Sequence, residues 1–281
     1  KFGFAVDDSI SSQVYNNQVE NATTTSAVNQ TKGMVMKSGD AFVGAFYYST
    51  SAGITASAHE VWIQNAGALP NPTPYLMGQN LTYDLSGNLV TFDPTSEASM
   101  LSFFQQIRLD TPDSGSRFHR WKVELTPVQL RNILNSHLSD MYTASPQLIL
   151  TKVDQNFISR PIPSDVGVVS DMRITQRGES GVVIRLEITT ATGVYQIINQ
   201  YNIRFTLRTV SSSAGSNVTT HFARNTDTTY TQTSLTQSTL ASGFFAIDKS
   251  GGNFVLYGGG YGHGVGMSQY GASGLGNRGY S

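Results

Sequence analysis

From Gly258 to Gly266 glycine recurs at every second position, in the run Gly258-Gly-Gly-Tyr-Gly-His-Gly-Val-Gly-Met-Ser-Gln-Tyr-Gly-Ala272. In an extended chain these glycines would share one side, and Tyr261, His263, Val265 and Met267 would share the other. A strand face without side chains is expensive in backbone entropy. Such a face makes sense where a second backbone or a flat ligand has to come close. No Gly-Lys-Ser/Thr follows, so this is not a phosphate loop. Ser268 sits in Gly266-Met-Ser-Gln-Tyr270 and lacks the second glycine of a nucleophile elbow. On spacing alone the segment also reads as a tightly packed core strand, with His263 a hydrogen-bonded core residue.

The rest of the composition narrows the partners. Of 281 residues 39% are hydrophobic and only 13% charged, where about a quarter is usual. The surface is therefore polar without being charged. The net charge is -1 and 18 Lys and Arg are spread along the chain, so the basic footprint that nucleic acid requires is absent. The chain has no cysteine, which excludes disulfides, thiolate nucleophiles and Cys-based zinc sites. No apolar run reaches the ~20 residues of a membrane helix. Lys1 and Ser281 both stand in mid-sequence, and the chain is expected to be a trimmed or processed fragment.

Local patterns predict an α+β fold with mainly antiparallel sheet and a few packed helices. Residues 1–70 read as β-rich, with a hairpin of Met34–Lys37 and Ala41–Tyr48 around Ser38-Gly39-Asp40. Residues 66–95 hold most of a Pro/Gly/Asn-rich connection. A helix capped by Thr95 would carry Met100, Phe103, Phe104 and Ile107. A second begins with Thr126 as cap, Pro127 at the first position and Gln129 completing a capping box, and its stripe is Leu130, Ile133, Leu134 and Leu138. Residues 182–189 alternate as a half-buried strand after a turn at Gly178–Gly181. Tyr201–Arg208 reads as another alternating strand, and 209–240 as an exposed loop or decorated hairpin.

Five stretches, in order, resemble motifs of the SpoIID/LytB family, which acts on bacterial peptidoglycan. The most specific is Gly260–Ala272. Ser12-Gln-Val-Tyr15 resembles the family's Gln-x-Tyr element. Ala45-Phe-Tyr-Tyr-Ser-Thr-Ser-Ala-Gly53 resembles its Ala-x-Tyr-His-Ser-Thr-Ser-Gly-Gly element, with Tyr48 where His is usual and Ala52 where Gly is usual. Glu60-Val-Trp62 with Pro74-Tyr-Leu76 resembles an acidic-Val-Trp and Pro-Tyr-Leu pair, and Ser242-Gly-Phe-Phe245 a Ser-x-x-Phe that leads into the last strand. The match is sparse between 80 and 170, a stretch expected to be a more variable, partly helical insertion or subdomain. The whole of 1–281 is then one SpoIID/LytB-like domain truncated at both ends, with core motifs at 7–76 and 242–281.

The resemblance implies a lytic transglycosylase that cleaves stem-peptide-free glycan strands to 1,6-anhydro-muramic acid products. That chemistry needs one carboxyl group, acting first as acid and then as base toward the sugar's own 6-hydroxyl. The family carries this glutamate on a helix before the Gln-x-Tyr element, so here it is expected before Lys1, and a groove lacking that helix would show an exposed apolar patch. Glu60 is the only carboxylate inside a matching motif, and it also reads as a polar residue at a strand end. Gln13, Tyr15, Tyr47, Ser49, Thr50, Ser51, Tyr261, His263, Ser268 and Gln269 are the candidate substrate-binding residues, stacking on sugars or hydrogen-bonding hydroxyls and N-acetyl groups. Ser49–Ser51 reads equally as a hydrogen-bonded turn. Some members bind zinc around the Gln-x-Tyr element, but Asp7–Gln13 holds no Cys or His, so no metal and no other cofactor is expected. The alternative is a non-catalytic amidase enhancer that binds glycan and stimulates a cell-wall amidase. A third reading, a cell-wall binding or adhesion module, draws on the polar surface and on Asn21, Asn80 and Asn217 in Asn-x-Thr triplets. The expected partners are glycan strands and a cell-wall amidase, with no nucleic acid and no membrane span. The expected place is outside the cytoplasm, in the cell wall or on the outer face of the membrane of a Gram-positive spore-former.

Overall fold

The structure, a computed structural model, describes residues 17–234 and 238–280. It is α+β, 26% helical and 28% strand. The chain divides into two compact units, Lys1–Gly44 and Ala45–Ser281.

In the first unit, helix α1 spans Ala22–Gln30, and the Asn21 side chain accepts from the N–H groups of Thr23 and Thr24. This helix replaces the strand content expected there. It buries none of its residues, so it has no apolar stripe for a periodicity reading to find. The expected hairpin is present but short. Strand β1 (Lys37–Ser38) pairs antiparallel with β2 (Ala41–Phe42), and Gly39 takes a φ of 59° between them. The strand does not continue to Tyr48.

The second unit opens with strand β3 (Tyr47–Tyr48), helix α2 (Ala58–Val61) and helix α3 (Glu97–Gln105). Then come β4 (Arg120–Leu125), α4 (Pro127–Ala144), β5 (Ile149–Val153), β6 (Asn156–Ile158), β7 (Val169–Arg177), β8 (Val183–Thr190) and β9 (Gly193–Ile198). The chain ends with α5 (Gln200–Thr206), α6 (Ser211–Ala214), β10 (Thr220–Ala223), β11 (Gln232–Ser234), β12 (Phe245–Asp248), β13 (Phe254–Gly258), β14 (Met267–Ser268) and α7 (Gln269–Asn277). Two five-stranded sheets, ordered β11-β10-β4-β13-β12 and β6-β5-β9-β8-β7, contain only antiparallel pairs. The pair β3 and β14 is parallel. Among the described residues no helix is long and apolar enough to cross a membrane.

Helix α4 forms as its sequence dictates. Thr126 accepts from the Gln129 N–H, and the Gln129 side chain accepts from the Thr126 N–H. Its stripe Leu130, Ile133, Leu134 and Leu138 is buried with Trp121, Val123 and Leu125 of β4, Met172 of β7, and Leu186 and Ile188 of β8. Each such side chain contributes about 1.5–3 kcal/mol, so this core ties the helix to both sheets. A second core gathers Met100, Phe103 and Phe104 of α3 around Ile54, Ala56, Phe244 and Val265. It carries the glycine-rich segment. Helix α3 is capped by Ser96, one residue later than expected, and ends before Ile107.

Tyr201–Arg208 is not a strand. Helix α5 occupies it, because Asn199, at a φ of 80°, turns the chain out of β9 and caps the Tyr201 N–H. Alternation of Tyr201, Ile203, Phe205 and Leu207 also contains the helical pair Ile203 and Leu207, both fully buried. The stretch 209–240 includes the hairpin β10–β11, but β10 lies inside the first sheet between β11 and β4, with Phe222 fully buried.

Candidate functional site

The glycine-rich segment leaves β13 and does not continue as a strand. Gly260, Gly262, Gly264 and Gly266 have φ values of 79°, 120°, 84° and 78°, which are left-handed conformations that L side chains rarely adopt. The period of two therefore marks alternate left-handed residues rather than a bare strand face, and this corrects the expectation above. The contorted path lets one short segment bond to five residues in three neighbouring stretches, 46–56, Phe118 and Ala241. Gly260 N–H donates to Phe118 O at 2.8 Å, Tyr261 N–H to Thr50 O at 2.8 Å, and Gly262 N–H to Ala241 O at 3.0 Å. Ala56 N–H donates to Gly264 O at 2.7 Å, and Met267 N–H to Phe46 O at 3.0 Å. A regular strand reaches only the two strands beside it. At Gly266 space as well as conformation demands glycine, since a Cβ there would lie 2.1 Å from Phe46 O.

Met267 and Ser268 then pair with Tyr47 and Tyr48. This brings the Ser-Thr-Ser stretch against the final motif, around a carboxylate that local sequence patterns do not point to. Asp113 is buried, and its Oδ1 accepts from the Ser51 N–H at 2.8 Å and from the Ser268 hydroxyl. Ser268 Oγ also accepts from Gly271 N–H at 3.1 Å and so caps α7. Ser51 Oγ donates to Ile54 O, and Thr50 Oγ1 meets Ser116 Oγ at 3.1 Å. Burial raises the Asp113 carboxyl above its ordinary 3.8, against the pull of the Ser268 hydroxyl and the Ser51 and Gly271 N–H groups. Thr50, Ser51 and Ser268 are buried; their side chains hold the frame together. Ser49 is half-buried, and Tyr47 and Gln269 are exposed. Gln13 and Tyr15 lie outside the described residues.

Glu60 is 1% exposed. Its carboxylate receives the Ser180 hydroxyl and stands where a Cβ on Gly178 would be. It thus ties α2 to the β7–β8 turn and has no open face toward a substrate. Tyr261 is partly buried and rests on Phe118, ring centroids 4.5 Å apart.

His263 sits at the edge of the open surface. Its Nδ1 accepts from the Val265 N–H at 3.1 Å. Burial lowers its pKa below the ordinary 6.5, the positive charge of Arg204 adds to this, and a hydrogen bond to the Tyr47 backbone opposes it. The ring is neutral at pH 7. It lies 5.6 Å from Tyr48 and 5.7 Å from Trp62, and Trp62 lies 4.4 Å from Phe46, centroid to centroid. Phe46 and Trp62 are 43% and 37% exposed. Tyr47 and Met267, on the paired strands β3 and β14, are also exposed. Asn199 Nδ2 donates to Ile63 O at 3.1 Å, which brings the start of α5, with exposed Tyr201, up to the residue after Trp62. Phe46, Trp62 and Tyr201, all exposed, were not among the candidate residues read from the sequence; the first two stand inside quoted motifs, and Tyr201 lies where a strand was expected.

No protein-family model matches the chain. It is similar to a curated amidase enhancer of Bacillus subtilis (strain 168), 24% identical over 274 residues. That alignment covers 97% of this chain and 32% of the relative, so the chain spans about a third of the relative's length. The likeness first carried by five short motifs thus runs through the sparse region 80–170 as well, and along nearly its whole length the chain resembles the amidase enhancers of the SpoIID/LytB family.

Proposed function

We propose that this chain binds the glycan strands of peptidoglycan and does so in the service of cell-wall hydrolysis, as an amidase-enhancer type of domain. The observation that carries the reading is the open row Phe46, Trp62 and His263, held rigid by the glycine-rich segment. A pyranose presents a flat face of C–H groups, and half-exposed aromatic rings offer it a large apolar surface that is already ordered. Tyr47, Ser49 and Gln269 border that row with groups able to hydrogen-bond hydroxyls and acetamido groups. With so few charges, the surface suits a neutral polymer. The relative's name supplies the link to an amidase.

The second reading is the lytic transglycosylase implied by the family resemblance. Glu60, the carboxylate inside a matching motif, and Asp113, which accepts from Ser51 and Ser268, are both buried, so neither is open to a glycosidic oxygen, and the resemblance puts the acid for that reaction on a helix before the Gln-x-Tyr element. One experiment addresses both readings. Sedimentation with purified insoluble peptidoglycan measures binding, and mass spectrometry of the supernatant detects 1,6-anhydro-muramic acid ends. We expect binding that falls at least about tenfold in Trp62→Ala, the loss of one stacked aromatic. Failure to sediment would overturn the proposal. Anhydro products would establish the second reading.

A further inference from the structure

In the second sheet Leu186, Ile188, Tyr195 and Ile197 face the α4 core, so the residues between them meet on the other face. The register lines them up. Leu150 of β5 stands opposite Gln196 of β9, Gln196 opposite Glu187 of β8, and Glu187 opposite Arg173 of β7. In the next row Gln176 stands opposite Arg185. Glu187 accepts from Gln196 Nε2 at 3.0 Å and from Arg173 Nη2 at 2.8 Å. Arg185 donates to Gln176 Oε1 at 2.6 Å, to Gln196 Oε1 at 2.8 Å and to the Ala66 carbonyl. That last bond ties the loop after Trp62 to the sheet. A cavity of about 530 Å³ opens there, with Leu150 and Phe157 as apolar lining and Gln176, Arg185, Glu187 and Gln196 as polar lining. Ligand pockets usually measure about 300–1,000 Å³. The bonds within the network engage both carboxamide oxygens and both oxygens of Glu187, whereas the Gln176 carboxamide keeps its N–H groups. Three cations stand on this face: Arg185, Arg173, whose side chain is 59% exposed, and exposed Lys152, opposite Phe157. One carboxylate, Glu187, stands among them; Asp154 lies in the β5–β6 turn, and Asp171 is paired with Lys249. Among the described residues Lys152 forms no ion pair. Stability alone does not call for such a network, because apolar side chains of like size often serve as well.

We propose that this cavity takes a short acidic segment of a partner protein, laid across the strands with one carboxylate at Lys152 and a second at Arg173 and the Gln176 amide. The charge is complementary, since the face carries more cations than carboxylates and what its network leaves over is N–H. The apolar lining suits a peptide as well, because Leu150 and Phe157 offer a surface to the side chains between the two carboxylates. The strand order fixes the spacing. From β5 to β7 there are three steps, through β9 and β8, which at about 4.8 Å each make roughly 14 Å. An extended peptide advances about 3.3 Å per residue, so acidic residues four positions apart span the two ends. None of Phe46, Trp62 and His263 takes part, and the inference stands apart from the glycan-binding reading.

The test follows the fluorescence anisotropy of three rhodamine-labelled, amidated peptides: Glu-Leu-Gly-Leu-Glu, its counterpart Gln-Leu-Gly-Leu-Gln, and the shorter Glu-Leu-Glu. The wild-type protein should bind the first at least about tenfold more tightly than the second, the scale of two charge-assisted contacts, and the preference should shrink in high salt. The shorter peptide reaches one end at a time and should bind about fivefold more weakly than the first. Lys152→Glu changes an exposed side chain without partners, so the fold is kept, and it should weaken the first peptide about fivefold or more. Trp62→Ala should bind that peptide as the wild type does. Equal binding of the glutamate and glutamine peptides, or binding of neither, overturns the proposal. Unchanged affinity in Lys152→Glu overturns it too, and loss of the peptide in Trp62→Ala would put the peptide on the aromatic row instead. None of these results bears on sedimentation with peptidoglycan, which tests the glycan reading separately.

Discussion

His119 and Asp113 are both buried and ionisable, and burial moves their protonation in opposite senses. His119 is pushed down to about 3 by burial, and by the charge of Arg120, against its hydrogen bond to Ile107 O. The unfolded ring takes a proton near 6.5. Its contribution to stability is therefore complete above that pH and is lost as pH falls toward about 3. Between pH 7 and 4.5 this one group should cost about 2–3 kcal/mol. Urea unfolding of the wild type and of His119→Gln at the two values measures it, and the variant should lose less over that interval by roughly that amount. Asp113, raised above 3.8, contributes most at low pH, and part of that contribution is lost as pH rises through its folded value. Its hydrogen bonds dominate at neutral pH. Asp113→Ala leaves the buried Ser51 N–H and the Ser268 hydroxyl without their acceptor and should cost about 2–4 kcal/mol. Asp113→Asn retains an acceptor and should cost less; equal losses would show that the carboxylate's hydrogen bonds are not what matters. The partners of Asp113 are 62 and 155 residues away, so no local pattern could disclose the role. His263 was legible as a candidate substrate-binding residue through the family resemblance, while its spacing alone read equally as a hydrogen-bonded core residue.

At the scale of elements, legibility follows whether local and tertiary forces agree. Helix α4 was readable because its capping box, Pro127 and apolar stripe all lie within the element and point the same way. Helix α5 was misread because its alternation is shared between two periods, and the deciding feature is Asn199, a capping residue in a left-handed conformation. The glycine-rich segment was recognised as special and wrongly described, since a period of two has two physical causes, a bare strand face and alternate left-handed residues. The second cause is testable. Gly266→Ala meets both a φ of 78° and the Phe46 carbonyl at 2.1 Å. It should break the β3–β14 pairing, destabilise the protein by more than about 3 kcal/mol and abolish strand binding. Gly251, in the β12–β13 loop, has a similar φ of 75° but open space around it. Gly251→Ala should cost only the backbone penalty of about 1–2 kcal/mol and leave binding unchanged. Thermal and urea unfolding of the pair separates conformation from crowding, and similar losses in both would remove the close approach from the explanation.

On the scale of the molecule, the α+β class was legible because strands and helices each kept their own period, whereas the division at Gly44–Ala45 was not marked by any change in composition. The physical difference between the two units lies in burial. Every buried apolar side chain among the described residues belongs to Tyr48 or a later residue, and α1 buries none. A chain beginning at Ala45 should therefore unfold within about 2 °C of the full chain, because the contacts that set its midpoint are all retained. Its affinity for peptidoglycan should also be retained, because Phe46, Trp62 and His263 and the backbone bonds that hold them lie at 45 and beyond. The two measurements separate two accounts of the first residues. Loss of affinity at an unchanged midpoint would give Gln13 and Tyr15 the sugar-binding role that the family resemblance implies. A lowered midpoint would instead make residues 1–44 part of what stabilises the second unit, and the burial argument would fail. With both quantities unchanged, the glycan-binding surface is contained in the unit that folds around α3 and α4, and the glycine-rich segment is what holds its aromatic row in place.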